Sequence, residues 1–140
     1  VDGAVLSGQP DPKSRSLARG ERRYRRKVAS PKQWQAIIAA KIGPCRVCMR
    51  PGLNGGASAH SPYPLSFHHL VPRSLGGDDV EDNIIPLCGD GVRGCHGLVE
   101  AREPLALRTV HETLLDSEYA YVIGKLGEGG PVRLFGVGRG

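Results

Sequence analysis

Large side chains for a core are scarce in this sequence. Aromatic residues make up only 5% of 140 residues, with one Trp, one Met and two Phe, while Gly numbers 20 and Pro 11. So thin a stock of bulky apolar groups excludes a large core. Small, loop-rich domains of this kind are usually held by a metal or by disulfides. No apolar run approaches the roughly 20 residues of a bilayer span, so no membrane association is expected. The opening VDGAVLSGQP lacks the basic-then-apolar pattern of a secretory signal, and a reducing, cytoplasmic setting is expected. There the four cysteines read as metal ligands rather than disulfides. Acidic residues are scarce in the first part of the chain. Residues 1–50 hold 3 against 12 Lys and Arg, a balance of +9, whereas residues 51–140 balance at −4. A basic half points to a polyanionic partner.

The expected organisation is a flexible basic arm over 1–29, one domain over 30–126 and a Gly-rich tail over 127–140. In the arm, Arg22, Arg23, Arg25, Arg26 and Lys27 surround Tyr24. Arg forks match phosphate oxygens and an interleaved ring stacks on bases, so these are candidate nucleic-acid contacts. Ser30-Pro31 reads as an N-cap and a first helical position. Trp34, Ile37, Ile38 and Ile42 recur at helical spacing until Gly43-Pro44, and Trp34 is expected in the core. Phe67–Val71 and Ile84–Leu87 are predicted strands on either side of a Gly76-Gly77-Asp78-Asp79 turn. A helix is expected from His96 to about Glu103, a second through Leu107, Val110 and Leu114, and a third capped by Asp116 and stopped at Gly127. His60, in a loop, reads as incidental and His111 as a surface residue.

Cys45-x2-Cys48 and Cys88-x6-Cys95 form a four-cysteine set. A two-residue gap lets two thiolates on one turn reach one tetrahedral ion. The three glycines of the GDGVRG loop let Cys88 and Cys95 converge as well. The reading is a closed structural zinc site, which leaves no open position for water. His96 in place of Cys95, or disulfides and free thiols, are the alternatives.

Between the cysteine pairs lie His68 and His69, a Gly-rich turn and Asn83, with His96 just after Cys95. In the elements CRVC, FHHLVPRSLGGDDVEDNIIPLC and CHGLVE, from Cys45 to about Glu103, the sequence resembles the HNH endonucleases. The resemblance implies an α+β fold. Its core is a ββα-metal unit over about 66–103, stapled by the zinc site and flanked by an N-terminal helix and C-terminal helices. It implies a metal-dependent endonuclease that hydrolyses DNA phosphodiesters to 5′-phosphate and 3′-hydroxyl ends. His69 falls where the family has its general base, and a neutral imidazole suits that task near pH 7. His68 and His96 fall on the ligands of a catalytic divalent ion, Mg²⁺, Mn²⁺ or Ni²⁺. Asn83 matches the middle Asn, which either pins the loop or ligates the metal. Arg73 is placed to grip a neighbouring phosphate of duplex DNA, and the helix is expected against the minor groove. The small size and later helices resemble phage-type members, which implies a host-cell cytoplasm and phage packaging proteins as partners. Two departures stand out. The gap before Cys95 is long, and Glu100 replaces the second helix histidine of some members. Glu100 reads first as an exposed carboxylate and second as a further metal ligand. The rivals are a non-catalytic, zinc-stapled nucleic-acid-binding module and a purely structural zinc protein.

Overall fold

The computed structural model describes residues 25–53 and 61–136. Arg22, Arg23, Tyr24 and His60 lie outside the described residues. Among the described residues, five α-helices flank one two-stranded antiparallel sheet. Helix α1 is Pro31–Lys41. Ser30 caps it as expected: its hydroxyl accepts the Gln33 N–H at 3.1 Å, and the Gln33 side chain accepts the Ser30 N–H at 2.8 Å. The helix ends at an extended Ile42 just before Gly43-Pro44.

Strands β1, Leu65–His69, and β2, Ile84–Cys88, pair with His68 opposite Ile85 and His69 opposite Ile84. β2 is buried along its whole length. β1 starts and stops two residues earlier than its sequence indicates, and Asn83 accounts for the early stop. Its Oδ1 accepts the Val71 N–H at 2.8 Å and its Nδ2 donates to Val71 O at 3.1 Å. Val71 therefore bonds to a side chain instead of the ladder. The same Nδ2 donates to Asp78 O at 3.0 Å, tying both ends of the loop together. Gly77 is needed there, because a Cβ on it would stand 1.7 Å from Val71 O.

Helix α2, Gly94–Glu100, packs on β2. It opens two residues before His96 and stops at Glu100. Arg102 takes a left-handed φ of 60°, and the Glu103 N–H reaches back to Leu98 O at 3.0 Å. Such a cap ends a helix. Glu103, expected in the helix, instead caps α3, Pro104–Thr113, by accepting the Ala106 N–H at 2.9 Å. In α4, Asp116–Leu126, the cap is Leu115 rather than Asp116, and the Glu118 carboxylate accepts the Leu115 N–H at 2.8 Å.

Two expectations fail in the C-terminal part. Within the predicted Gly-rich tail, Gly130–Phe135 forms helix α5, which packs on α3 and α4. Pro131, Leu134 and Phe135 are buried at helical spacing, and burying a side chain such as Leu or Phe is worth about 1.5–3 kcal/mol. His111 is not on the surface. It is 7% exposed, between the rings of Tyr119 and Phe135 at 5.9 and 5.6 Å. The core joins Leu70, Val71, Ile85, Leu87 and Val99 of the hairpin unit to Leu107, Val110, Val122 and Phe135 of the later helices. Among the described residues no helix is long and apolar enough to cross a membrane.

Candidate functional site

The four cysteines converge. Their sulfurs lie within 4.8 Å of one another and none is in a disulfide. Cys48 and Cys88 sulfurs are 3.9 Å apart. A tetrahedral ion with metal–sulfur bonds of about 2.3 Å sets its sulfurs about 3.8 Å apart, so the donor set fits zinc. The first pair sits on a tight turn: Met49 N–H donates to Cys45 O at 2.8 Å, with Met49 at φ 61°. Arg46 N–H donates to Pro86 O at 3.1 Å, fastening this turn to β2. The long loop before Cys95 folds back on itself. Asp90 accepts the N–H groups of Val92 and Arg93, and Gly89 has φ 97° where a Cβ would meet Arg93 O at 2.0 Å. Glycine is what lets this stretched gap close. Burial alone would raise the Cys88 thiol, but the Ser61 hydroxyl and Cys95 outweigh it and bring it down to about 7. That thiol is ready to give up its proton to a metal.

A cleft of about 510 Å³ opens beside the clamp, lined among others by Trp34, His68, His69, Arg73, His96 and Glu100. Adjacent strand residues face opposite ways. Even so, β1 is an edge strand ending at His69, and both histidines line this cleft. They keep separate company within it.

His68, His96 and Glu100 form one group, with ligand atoms within 4.8 Å of one another. Glu100 Oε2 is 3.2 Å from His68 Nδ1 and 3.5 Å from His96 Nε2. Adjacent ligands of an octahedral ion with bonds of about 2.1 Å stand about 3.0 Å apart, so a divalent cation fits. The donor chemistry agrees. Ser66 Oγ bonds to Leu87 O at 3.2 Å and lies 2.6 Å from His96 Nδ1, which fixes the ring's orientation. His96 Nε2 faces the Glu100 carboxylate, which the His68 hydrogen bond holds below its ordinary range. Two imidazoles and a carboxylate are donor types that divalent transition ions accept. Glu100 is exposed, as expected for a helix carboxylate, and its carboxylate also belongs to this cluster. Ser66 is an orienting residue the sequence did not flag. Burial, and secondarily His68, lowers His96 and keeps it neutral, as a ligand must be.

His69 belongs to the second group. Its Nε2 is 2.8 Å from Asp79 Oδ1, and its ring lies parallel to Trp34, 5.9 Å away and 7° inclined. Burial would raise Asp79, but the Ala29 N–H, His69 and Arg26 outweigh it and keep it ionised. An ionised carboxylate only accepts, so Nε2 carries the proton and Nδ1 holds the lone pair. Burial lowers His69 overall despite Asp79, leaving it neutral at pH 7. Trp34, expected in the core, is half-buried against this imidazole.

Asn83 is fully buried, with its amide committed to the loop bonds described above. Arg73 is exposed at the cleft, and Arg25 and Lys27 are exposed. Arg26 turns toward the Gly76–Asp79 turn. Its Nε donates to Gly77 O at 2.7 Å and its Nη2 pairs with Asp79. Residues 25–29 are correspondingly anchored rather than a loose arm.

A hairpin and a helix holding imidazoles at one cleft, with a cysteine clamp behind, define a ββα-metal core within an α+β fold. Residues 45–101, about two fifths of the chain, match the family model of the HNH endonuclease. No curated protein and no solved structure matches the chain. The family match supports a nuclease-like or nucleic-acid-binding module.

Proposed function

We propose that the protein is a metal-dependent endonuclease that hydrolyses DNA phosphodiester bonds. The carrying observation is the placement of two differently prepared imidazole sets on one cleft. His69 is bonded through Nε2 to Asp79, and His68, His96 and Glu100 converge as a ligand group. His69 Nδ1 takes a proton from the attacking water, and Asp79 stabilises the imidazolium that results. Trp34 restricts the ring's tilt. His68, His96 and Glu100 hold the divalent ion. When bound, it neutralises the scissile phosphate and stabilises the departing 3′ oxygen. Two imidazoles in the set favour Mn²⁺ or Ni²⁺ over Mg²⁺, which prefers oxygen. Asn83 pins the loop that carries Asp79 to the end of β1. Arg73, with Arg22, Arg23, Arg25 and Lys27, supplies salt-sensitive phosphate contacts on duplex DNA. The four thiolates hold zinc, which keeps the hairpin and α2 in register.

The test is nicking of supercoiled plasmid by the purified chain in chelator, then with Mg²⁺, Mn²⁺ or Ni²⁺ restored. Divalent-dependent nicking is expected. Salt-sensitive DNA binding without cleavage under any of these ions would favour a non-catalytic module instead. No DNA affinity at all would favour a purely structural zinc protein.

A further inference from the structure

The segment Arg26–Ala29 lies outside the matched residues 45–101, yet it grips the turn beside the catalytic imidazole. We propose that this strap, and Arg26 above all, positions His69 through Asp79. The inference rests on the nuclease reading for its kinetic consequence, though not for its structural one.

Asp79 is held from three directions by the strap. Its N–H donates to Lys27 O at 2.8 Å, its Oδ2 accepts the Ala29 N–H at 2.9 Å, and its Oδ1 pairs with Arg26 Nη2. The same Oδ1 meets His69 Nε2. Arg26 also reaches Gly77 O through Nε at 2.7 Å, so one planar fork spans both the turn's backbone and its carboxylate. The Arg26 side chain is only 20% exposed and Asp79 only 8%, an inward-facing pair rather than a phosphate contact. The strap is braced from behind. Lys125 of α4 donates to Arg25 O at 3.1 Å and to Asp78 Oδ2 at 3.0 Å, and Tyr121 Oη donates to Asp78 Oδ2 at 2.6 Å. A strap tied at both ends leaves the carboxylate one place to stand, and the carboxylate leaves the ring one tautomer. Part of a basic stretch that reads as a DNA contact is therefore a positioning device for the base, and Arg26 is a positioning residue.

The experiment compares the full-length zinc-loaded chain with Arg26→Ala, Arg26→Lys and Asp79→Asn. Single-turnover cleavage of duplex DNA with Mn²⁺ is measured at saturating enzyme, together with the salt dependence of DNA affinity and the ¹⁵N resonances of the His69 ring. A misplaced group costs up to about a hundredfold in rate, so Arg26→Ala is expected to slow cleavage roughly ten- to a hundredfold. Its slope of log affinity against log salt stays at the wild-type value. Arg26→Lys keeps the charge but not the fork and stays slow. The Arg26→Ala/Asp79→Asn double variant is no slower than Asp79→Asn alone. The ring spectrum changes from one Nε2–H tautomer to a mixture in Arg26→Ala. The proposal is overturned if the salt slope drops by about 0.9 and Lys restores full function, because Arg26 is then a phosphate contact. An unchanged ring spectrum also overturns it. Should Arg26→Ala not fold, Arg26→Lys carries the same comparison. If the wild-type chain cleaves no DNA, the nuclease reading fails, and the ring spectrum still decides the role of the strap.

Discussion

Glu118 is fully buried on α4 with its carboxylate between two cations. Both its oxygens accept from the Arg46 fork at 2.8 Å, Lys41 pairs with one of them, and one also accepts the Leu115 N–H. Arg46 stands between Cys45 and Cys48, and Lys41 ends α1. This carboxylate therefore joins the zinc turn, the first helix and the later helices. Removing one partner of a buried charge group leaves the others unpaired, which costs about 3–5 kcal/mol. Glu118→Gln keeps the shape and removes the charge, so a loss of about 3 kcal/mol is expected at pH 7. At several degrees of melting temperature per kcal/mol, that is a drop of roughly 10 °C or more. The pH dependence follows from the same contacts. Burial alone would raise Glu118, but Arg46, Lys41 and the Leu115 N–H hold it below its ordinary 4.5. A depressed carboxylate contributes stability that is present above that ordinary value and is lost as pH falls through the lower folded value. The assay is thermal unfolding of both zinc-loaded chains from pH 7 to pH 3. Acid release of zinc affects both, so the readout is their difference, which should be largest at neutral pH and shrink below about pH 4. A variant as stable as wild type at pH 7, or a gap that widens in acid, would refute the reasoning.

Three further outcomes are expected. Ser66→Ala frees the His96 ring from its Nδ1 bond and should weaken divalent activation roughly 10- to 100-fold, read as a shift in the Mn²⁺ concentration for half-maximal nicking. Arg102→Gly relieves a left-handed backbone position where Gly is favoured, and should stabilise the fold by about 1 kcal/mol in a urea titration. Stripping zinc with a strong chelator, or replacing Cys88 by Ser, should abolish cooperative unfolding monitored by circular dichroism. Metal analysis should return one zinc per chain.

The hairpin was legible because its signals are local. Pro72, the Gly-Gly turn and two short apolar runs speak within one stretch, and the cysteine spacings announce a shared ion. The roles proposed for His69, His68, His96 and Asn83 came from motif order alone. What was missed depends on contacts through space. Asp79 reads as a turn acid until the fold lays it against His69, and Ser66 as an ordinary strand residue until α2 brings His96 to it. Trp34 has the spacing of a core residue, yet its helix turns it to the cleft. Arg26 is indistinguishable in sequence from its basic neighbours, and only its partners at residues 77 and 79 separate it from them. In the last segment, glycine content concealed the helical spacing of Pro131, Leu134 and Phe135. His111 could not be placed without the α5 helix that covers it.

The role proposed for His69 is proton acceptor at the cleft where His68, His96 and Glu100 would hold a divalent ion. Its most direct test is plasmid nicking at saturating Mn²⁺ by His69→Ala, with Mn²⁺ binding followed by calorimetry on the same zinc-loaded preparation. Loss of a general base removes about 10²–10⁴ in rate, so nicking should fall in that range while Mn²⁺ still binds through His68, His96 and Glu100. Nicking by the variant at the wild-type rate would contradict the account.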